Sequence, residues 1–159
     1  MIPYASTHSL EDAINSKDRS VKNVKRDQYR NPYETLSFFE IQQDMKVVEL
    51  SPGGGWYTEI LANYIHAPGM LIAAHFDKNS ERAFYVRMRN NFENKINQNP
   101  MYKNVSIVNL SSKLAEAETV DAVLTFRNFH YWIGPQIDLI FSNAHTALKK
   151  GGIFGVVEH

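Results

Sequence analysis

The chain has 159 residues, with 17 basic and 17 acidic side chains and no cysteine. The length fits one domain with a substantial core, and the absence of cysteine excludes disulfides and thiolate chemistry. A neutral chain without a basic block argues against nucleic acid as a main partner. No apolar run approaches the roughly 18 residues of a membrane span. The polar N-terminus shows no secretory signal, so no membrane partner and a cytoplasmic location are predicted.

The first forty residues predict short helices in a polar setting. Ser9 is a candidate cap for a helix over residues 10–17, and residues 18–30 are charged without a clear apolar face. Residues 1–30 are therefore predicted to form a polar, helical N-terminal extension, with residues 31–159 as the main domain. That domain opens with a helix start: Asn31 as the cap, Pro32 at the first position and Glu34 completing a capping box.

Apolar segments then alternate with amphipathic segments of helical spacing. The predicted strands are residues 46–50, 70–76, 105–110, 119–126 and 153–158. The predicted helices are residues 56–65, 79–96 and 135–148, the last of them ended by Lys-Lys-Gly-Gly. Residues 111–118 fit either a loop or a short helix. Because the strands are apolar on both faces, they predict a doubly wound, mostly parallel α/β sheet in three layers.

A glycine triplet, Gly53 to Gly55, joins the first predicted strand to its helix. Ligands of open parallel sheets bind beyond the carboxyl ends of the strands, near the point where the strand order reverses. Glycine lets a ligand approach the backbone, and the amide groups of a helix N-terminus favour an anion. The triplet thus predicts a site for a nucleoside-like ligand; the alternative is a tight turn. The sequence lacks the Gly-Lys-Ser or Gly-Lys-Thr ending of a phosphate-binding loop. The match to a dinucleotide-binding fingerprint is incomplete, because Thr58 stands where the third glycine would be.

Three motifs in order resemble those of class I S-adenosylmethionine-dependent methyltransferases. In "VVELSPGGGWYT", Glu49 falls on the acid of the first motif and two glycines match, although Ser51 replaces the first glycine. "TVDAVLTFRNFHYW" is similar to the fourth strand of the family and its following turn. "ALKKGGIFGVVEH" is similar to its turn into the fifth strand, with Lys150 in place of proline. With "RDQYRNPYETLSFF" upstream, residues 26–159 are closest to a group of predicted bacterial methyltransferases.

The resemblance implies a Rossmann-like sheet, S-adenosyl-L-methionine as the methyl donor, and residues 31–159 as the donor-binding domain. Methyl transfer by in-line displacement from the sulfonium would need neither a metal nor a covalent intermediate. The implied donor-binding residues are Glu49, Ser51, Pro52, Gly53, Gly54, Gly55, Trp56, Tyr57, Thr58, Asp77, Arg127 and Asn128. The family's ribose-binding acid would fall near His75, and Asp77 is preferred because a carboxylate accepts from both hydroxyls. Alternatively, Asp77 caps the next helix.

The segment after the fourth strand is where donor and acceptor would meet. There His130 is the candidate general base, which would take a proton from an acceptor hydroxyl or amine. The alternative is a structural histidine packed beside Tyr131 and Trp132. Upstream, Arg26 or Arg30 would lie over the donor pocket and pair with a carboxylate, or else belong to a solvated basic face. His8, His66 and His145 are given no chemical role.

The sequence stops soon after the fifth strand, so the sheet is expected to lack the last two strands of the full family. An unpaired edge strand exposes backbone groups, which predicts homo-oligomers through that edge. The preferred function is a methyltransferase acting on a small-molecule acceptor. The alternatives are a donor-binding but inactive domain and an NAD(P)-dependent oxidoreductase. The sequence does not distinguish oxygen, nitrogen, sulfur or carbon as the methylated atom.

Overall fold

The computed structural model describes residues 9–158, and the predictions that fall on His8 and His159 lie outside this range. Within it, one five-stranded sheet has the order β3-β2-β1-β4-β5. Every neighbouring pair of strands is parallel. The strands are β1 (Lys46–Leu50), β2 (Met70–His75), β3 (Val105–Asn109), β4 (Val120–Phe126) and β5 (Leu148–Val157). The predicted parallel, doubly wound sheet is confirmed.

Helices cover both faces of the sheet. They are α1 (Leu10–Ile14), α2 (Val21–Val24), α3 (Asp27–Arg30), α4 (Pro32–Phe38), α5 (Trp56–Tyr64), α6 (Ala83–Gln98) and α7 (Pro135–Ala147). Single turns of 3-10 helix follow at Pro100–Tyr102 and Phe129–Trp132. In the part of the chain that the structure describes, no helix combines the length and apolar character needed to cross a bilayer.

The hydrophobic core lies in two layers, one on each side of the sheet. On one side, Leu36 of α4 and Ile60 of α5 pack on β1 and β2, and Phe92 of α6 continues this layer. On the other side, Ile140 and Ala144 of α7 pack on β1 and β4. Burial of apolar area in both layers stabilises the sheet at roughly 25 cal/mol for each Å². The three-layer arrangement is therefore as the sequence predicted.

The start of α1 is as predicted, whereas the start of α4 is not. The Ser9 hydroxyl accepts from the Asp12 amide at 3.1 Å, and the Asp12 side chain completes a capping box. The predicted capping box of Asn31 and Glu34 is wrong. Asn31 has a left-handed backbone with φ of 44°, and its side chain makes no cap bond. Its amide instead ends α3 by donating to the Asp27 carbonyl, so it forms the corner between α3 and α4.

The beginning of β5 also differs from the prediction. Leu148, expected at the end of α7, is the first residue of β5 and pairs with Val120, while Ile153 pairs with Ala122. The residues between them form an irregularity in the ladder, in which Gly151 has φ of 77°. The Lys-Lys-Gly-Gly sequence is thus a β-bulge rather than a helix end. Residues 111–118 form a loop, and α6 begins four residues later than predicted.

The segment before α4 is attached to α5 through Arg19, a buried cation. Its guanidinium donates to both carboxylate oxygens of Asp27, at 2.7 and 2.8 Å, and its Nε lies 3.8 Å from the Glu59 carboxylate. The indole of Trp56 adds a 2.8 Å bond to the Asn23 carbonyl. Since a buried ion pair that loses one partner costs about 3–5 kcal/mol, these contacts hold residues 19–27 against α5. The boundary at residue 30 stays a prediction.

A carboxyl group is buried in the middle of the sheet at Glu49 of β1. It is 2% exposed, and the Thr58 hydroxyl of α5 donates to its Oε1 at 2.5 Å. Burial raises the pKa of Glu49 from 4.5 to about 7, although the bond from Thr58 and the charge of Lys95 oppose this. The folded chain therefore keeps a proton on Glu49 over a pH range in which the unfolded chain releases it.

We expect Glu49→Gln to become more stable relative to the parent chain as the pH rises from 4.5 to 7. In this window the unfolded parent loses a proton that the folded parent retains, so its free energy of unfolding falls with pH. At about 1.4 kcal/mol for each pH unit, the relative gain approaches about 3 kcal/mol near pH 7. Urea unfolding at a series of pH values measures it, with exposed Glu81→Gln as the control. A difference that is constant with pH would contradict the buried, protonated carboxyl.

Candidate functional site

The loop from β1 to α5 lies where the strand order of the sheet reverses. β1 has β2 on one side and β4 on the other, so the loops after β1 and β4 diverge and leave a crevice at the carboxyl edge. A cavity of about 470 Å³ occupies this crevice. Its lining residues come from the segment before α4, the glycine loop, the start of α5, α6, and the end of β4 with the two residues after it. They are Ser20, Lys22, Asn23, Arg26, Arg30, Ser51, Pro52, Gly53, Gly54, Trp56, Lys95, Phe126, Arg127 and Asn128.

The three glycines have different roles in the loop. Gly53 has φ of 60°, which favours glycine, and a Cβ added at Gly53 or Gly54 would meet no atom within 4 Å. These two positions therefore leave open space at the cavity wall. Gly55 has φ of 82°, and a Cβ there would lie 3.2 Å from the Phe92 ring. Gly55 thus allows α5 to pack closely on α6.

Side chains from three elements hold the carbonyl groups of the glycine loop. His75 Nε2 lies 3.0 Å from the Gly53 carbonyl, Lys95 Nζ donates to Gly54 at 3.0 Å, and Asn128 Nδ2 donates to Ser51 at 3.0 Å. No described residue accepts a hydrogen bond from the amide of Gly53 or Gly54. With the carbonyls engaged by the protein, these amides are available to the acceptor atoms of a ligand.

His75 is the last residue of β2 and a neutral imidazole. Its Nδ1 accepts from the Phe76 amide at 2.8 Å, so the ring proton is on Nε2 and is donated to the Gly53 carbonyl. Burial lowers the pKa of His75, which favours this neutral form. The histidine therefore positions the loop. In the sequence, His75 falls near the position where the resemblance expects an acid. This difference from the family motif was the sequence signal for a different role.

Several predicted donor-binding residues lie behind the loop. Glu49 and Thr58 bond to each other in the interior, and the Tyr57 ring stacks on Phe126 with centroids 3.5 Å apart. None of these three predicted residues lines the cavity. The first backbone hydrogen bond of α5 runs from the Glu59 amide to the Gly55 carbonyl. The amides of the first helical turn, before Glu59, therefore have no carbonyl partner within the helix. Their predicted contact with a donor stays a prediction.

Asp77 and His130 are also absent from the cavity lining. The Asp77 carboxylate accepts from the Ser111 hydroxyl, and α6 begins after Arg82, so Asp77 is not its cap. His130 Nδ1 lies 3.0 Å from the Glu158 carboxylate, which also accepts from the Phe129 amide at 2.7 Å. The ribose-binding role of Asp77 and the general-base role of His130 stay predictions.

The cavity carries a strong excess of positive charge. Its lining contains five cationic side chains and, within the described residues, no carboxylate: Lys22, Arg26, Arg30, Lys95 and Arg127. The sequence interpretation singled out Arg26, Arg30 and Arg127 but not the two lysines. Lys22, Arg26 and Arg30 recur every four residues, which was a usable signal. Lys95 lies one helical turn from buried Phe92, and only the fold brings it to the loop.

A larger cavity, about 790 Å³, lies at the opposite edge of the sheet. Its lining includes Met45 before β1, Asp121 in β4 and the bulge residues of β5. Parallel sheets bind ligands at the carboxyl ends of their strands, and this cavity is at the amino ends. We therefore place the candidate site at the glycine loop. Within residues 9–158, no three His, Asp or Glu side chains are grouped as metal ligands.

Solved structures provide the comparison, since neither a family model nor a curated protein matches the chain. A SAM-dependent methyltransferase from Aquifex aeolicus matches with a TM-score of 0.64 and 19% identity, over 89% of this chain and 68% of that one. A SAM-dependent O-methyltransferase from Thermotoga maritima matches with a TM-score of 0.56 and 17% identity, over 92% and 48%. A glycopeptide N-methyltransferase complexed with sinefungin matches with a TM-score of 0.58 and 14% identity, over 77% of this chain and 50% of that one.

The N-methyltransferase has also been solved with S-adenosyl-L-methionine, and that structure matches with a TM-score of 0.56 and 13% identity. The chain spans between 47% and 68% of the length of these proteins. At such identities the matches establish the fold alone. The chain therefore has the Rossmann-like fold of the class I S-adenosylmethionine-dependent methyltransferases.

Proposed function

We propose that the chain is an S-adenosylmethionine-dependent methyltransferase that acts on a small-molecule acceptor. The observation that carries the proposal is the glycine loop at the strand-order reversal. Its carbonyls are held by His75, Lys95 and Asn128, while the Gly53 and Gly54 amides have no acceptor among the described residues. The glycopeptide N-methyltransferase of the same fold was solved with this donor, which supports the choice of ligand.

The residues present fit such a donor. A cavity of about 470 Å³ is within the usual range of about 300–1,000 Å³ for small-ligand sites. The Gly53 and Gly54 amides and the first turn of α5 offer donors to a carboxylate, and Trp56 and Phe126 supply apolar wall. The donor supplies a methyl group activated by its sulfonium. The chain has to bind it, align an acceptor and exclude water.

The transfer is a displacement in line with the breaking bond. A lone pair of the acceptor forms the bond to the methyl carbon while the carbon–sulfur bond breaks, and the acceptor proton passes to a base or to solvent. Arg127 and Asn128, after β4, line the same cavity as the glycine loop and can orient the acceptor. Five residues between positions 20 and 30 line the cavity from the other side, which supports a small acceptor.

Two alternatives differ in measurable ways. A donor-binding but inactive domain would bind the donor and transfer no methyl group. An NAD(P)-dependent oxidoreductase would need close helix–strand contact at the third glycine of its fingerprint. Here that position is Thr58, whose hydroxyl is bonded to buried Glu49. This contact argues against the oxidoreductase.

We expect saturable binding of S-adenosylmethionine and S-adenosylhomocysteine in calorimetric titrations of the chain, with at least tenfold weaker binding of NADH. Transfer of an isotope-labelled methyl group to a member of a small-molecule panel then separates an active enzyme from a donor-binding domain. A folded sample that binds neither sulfur nucleoside, or that prefers NADH, would overturn the proposal.

We expect Gly53→Leu to weaken S-adenosylhomocysteine binding at least tenfold, because its side chain would project into the open space that the cavity needs. The matched control is Gly151→Leu. Gly151 also has a left-handed backbone and open space at its Cβ position, yet it lies in the β5 bulge at the other edge of the sheet. Both variants carry similar backbone strain. Equal loss of binding in both would show that strain, rather than the cavity, is responsible.

The proposal extends to self-association through β5. Within residues 9–158 this strand pairs on one side only, with β4, and Val156 is 36% exposed. We expect sedimentation velocity at micromolar concentration to show dimers or larger species, and Val156→Lys to shift them toward the monomer. A parent chain that is monomeric at all concentrations would contradict it. The cytoplasmic location stays a prediction.

A further inference from the structure

Only one of the five positive charges at the crevice is paired with a carboxylate of the described residues. Lys95 is paired with Glu59 at 2.7 Å. For Lys22, Arg26, Arg30 and Arg127, no described residue supplies a carboxylate within ion-pair distance. Four cations therefore line one cavity without a counter-charge, in a crevice whose low-dielectric walls focus their field. Such an arrangement attracts anions.

The positive charges that line the cavity repel one another. Burial lowers the pKa of the Arg30 guanidinium, and the charges of Arg26 and Arg127 lower it further. Holding like charges together in a partly buried site costs folding free energy. An anion bound among them would remove that cost, so the site gains more from an anionic ligand than from a neutral one.

Contacts within the protein constrain the side chain of Arg30 and the backbone of Arg127. The Arg30 guanidinium stacks over the Trp56 ring at 4.8 Å, and its Nε is buried without a hydrogen-bond partner in residues 9–158. Arg127 has a left-handed backbone with φ of 61°, which its amide supports by donating to the Val157 carbonyl at 2.7 Å. A non-glycine residue in this conformation stores strain, which concentrates at functional sites.

A second, smaller cavity adjoins the first at these arginines. It has a volume of about 220 Å³, and its lining includes Tyr29, Thr35 and Tyr57. Arg30, Phe126 and Arg127 line both cavities. The arginines therefore lie between the crevice of the glycine loop and a recess bordered by hydroxyl and aromatic groups. The recess is too small for a nucleoside but large enough for an acid of a few heavy atoms.

We propose that this recess binds the methyl acceptor, and that the acceptor carries an oxyanion, a carboxylate or a phosphate, held by Arg30 and Arg127. The inference rests on the proposed methyltransferase function and adds the chemical class of its substrate. A guanidinium fork binds either oxyanion through two parallel bonds. Because Arg30 and Arg127 line both cavities, an acceptor anchored there lies beside the crevice of the glycine loop.

The test uses the full chain at low ionic strength, where charge interactions are least screened. The protein is titrated with benzoate and, separately, with inorganic phosphate, once without S-adenosylhomocysteine and once saturated with it. We expect saturable binding of at least one of them, weakened at least tenfold in Arg127→Gln and in Arg30→Gln. The matched control is Arg87→Gln. It also removes a cation stacked on an aromatic ring, Phe84, but outside both cavities.

The outcomes separate this proposal from the one on which it rests. Anion binding that S-adenosylhomocysteine abolishes would mean that the arginines serve the carboxylate of the donor, which overturns the acceptor assignment. Binding of S-adenosylhomocysteine without binding of either anion would overturn it as well and leave the methyltransferase function standing. If S-adenosylhomocysteine does not bind to a folded chain, the methyltransferase function itself is wrong. If Arg87→Gln weakens anion binding as much as Arg127→Gln and Arg30→Gln do, the loss reflects the net charge of the protein, which would overturn the assignment of the anion to these two arginines.

Discussion

The carboxylate of Glu59 is the contact on which the geometry of the crevice depends. It is 1% exposed in α5, accepts from Lys95 at 2.7 Å and from the Ser20 amide at 3.3 Å, and lies near Arg19. Through Lys95 it also fixes the Gly54 carbonyl. One buried anion thus joins the segment before α4, the helix α6 and the glycine loop. Arg19 and Lys95 would each be costly to bury without this anion. Their contacts with Glu59 therefore keep the segment before α4, α6 and the glycine loop in one arrangement.

The sheet supplies the second constraint, since it decides which distant residues meet. Strand order brings the loops after β1 and β4 to opposite sides of one crevice, and Asn128 bonds across it to the Ser51 carbonyl. The carbonyls of the loop are occupied by protein donors and its amides are left over. Because the carbonyls of the glycine loop are bonded to protein side chains, the polar groups that the loop presents to the cavity are amide donors. The positive arginines nearby add to the same polarity.

The elements of the sheet could be predicted because apolar runs and helical spacing are local. The corner at Asn31 could not, because an asparagine before Pro32 fits both a helix cap and the left-handed corner that it forms. The start of β5 was missed because Lys-Lys-Gly-Gly resembles a helix end, and only pairing with Val120 makes it a bulge. In the site, the glycines were evident from the sequence. His75 and Lys95 were not, since their contacts join residues 22 and 41 positions apart.

The attachment of residues 19–27 to α5 has a consequence for how this fold can change its specificity. The loop that would hold the donor belongs to the sheet, whereas Lys22, Arg26 and Arg30 belong to one short stretch of sequence before it. That stretch is anchored through Arg19, which does not line the crevice, and through the Asn23 carbonyl bonded to Trp56. Three of the four crevice cations that have no carboxylate partner in residues 9–158 therefore lie in one stretch, residues 22–30. It can be rewritten by mutation or exchange while the sheet and its glycine loop stay intact.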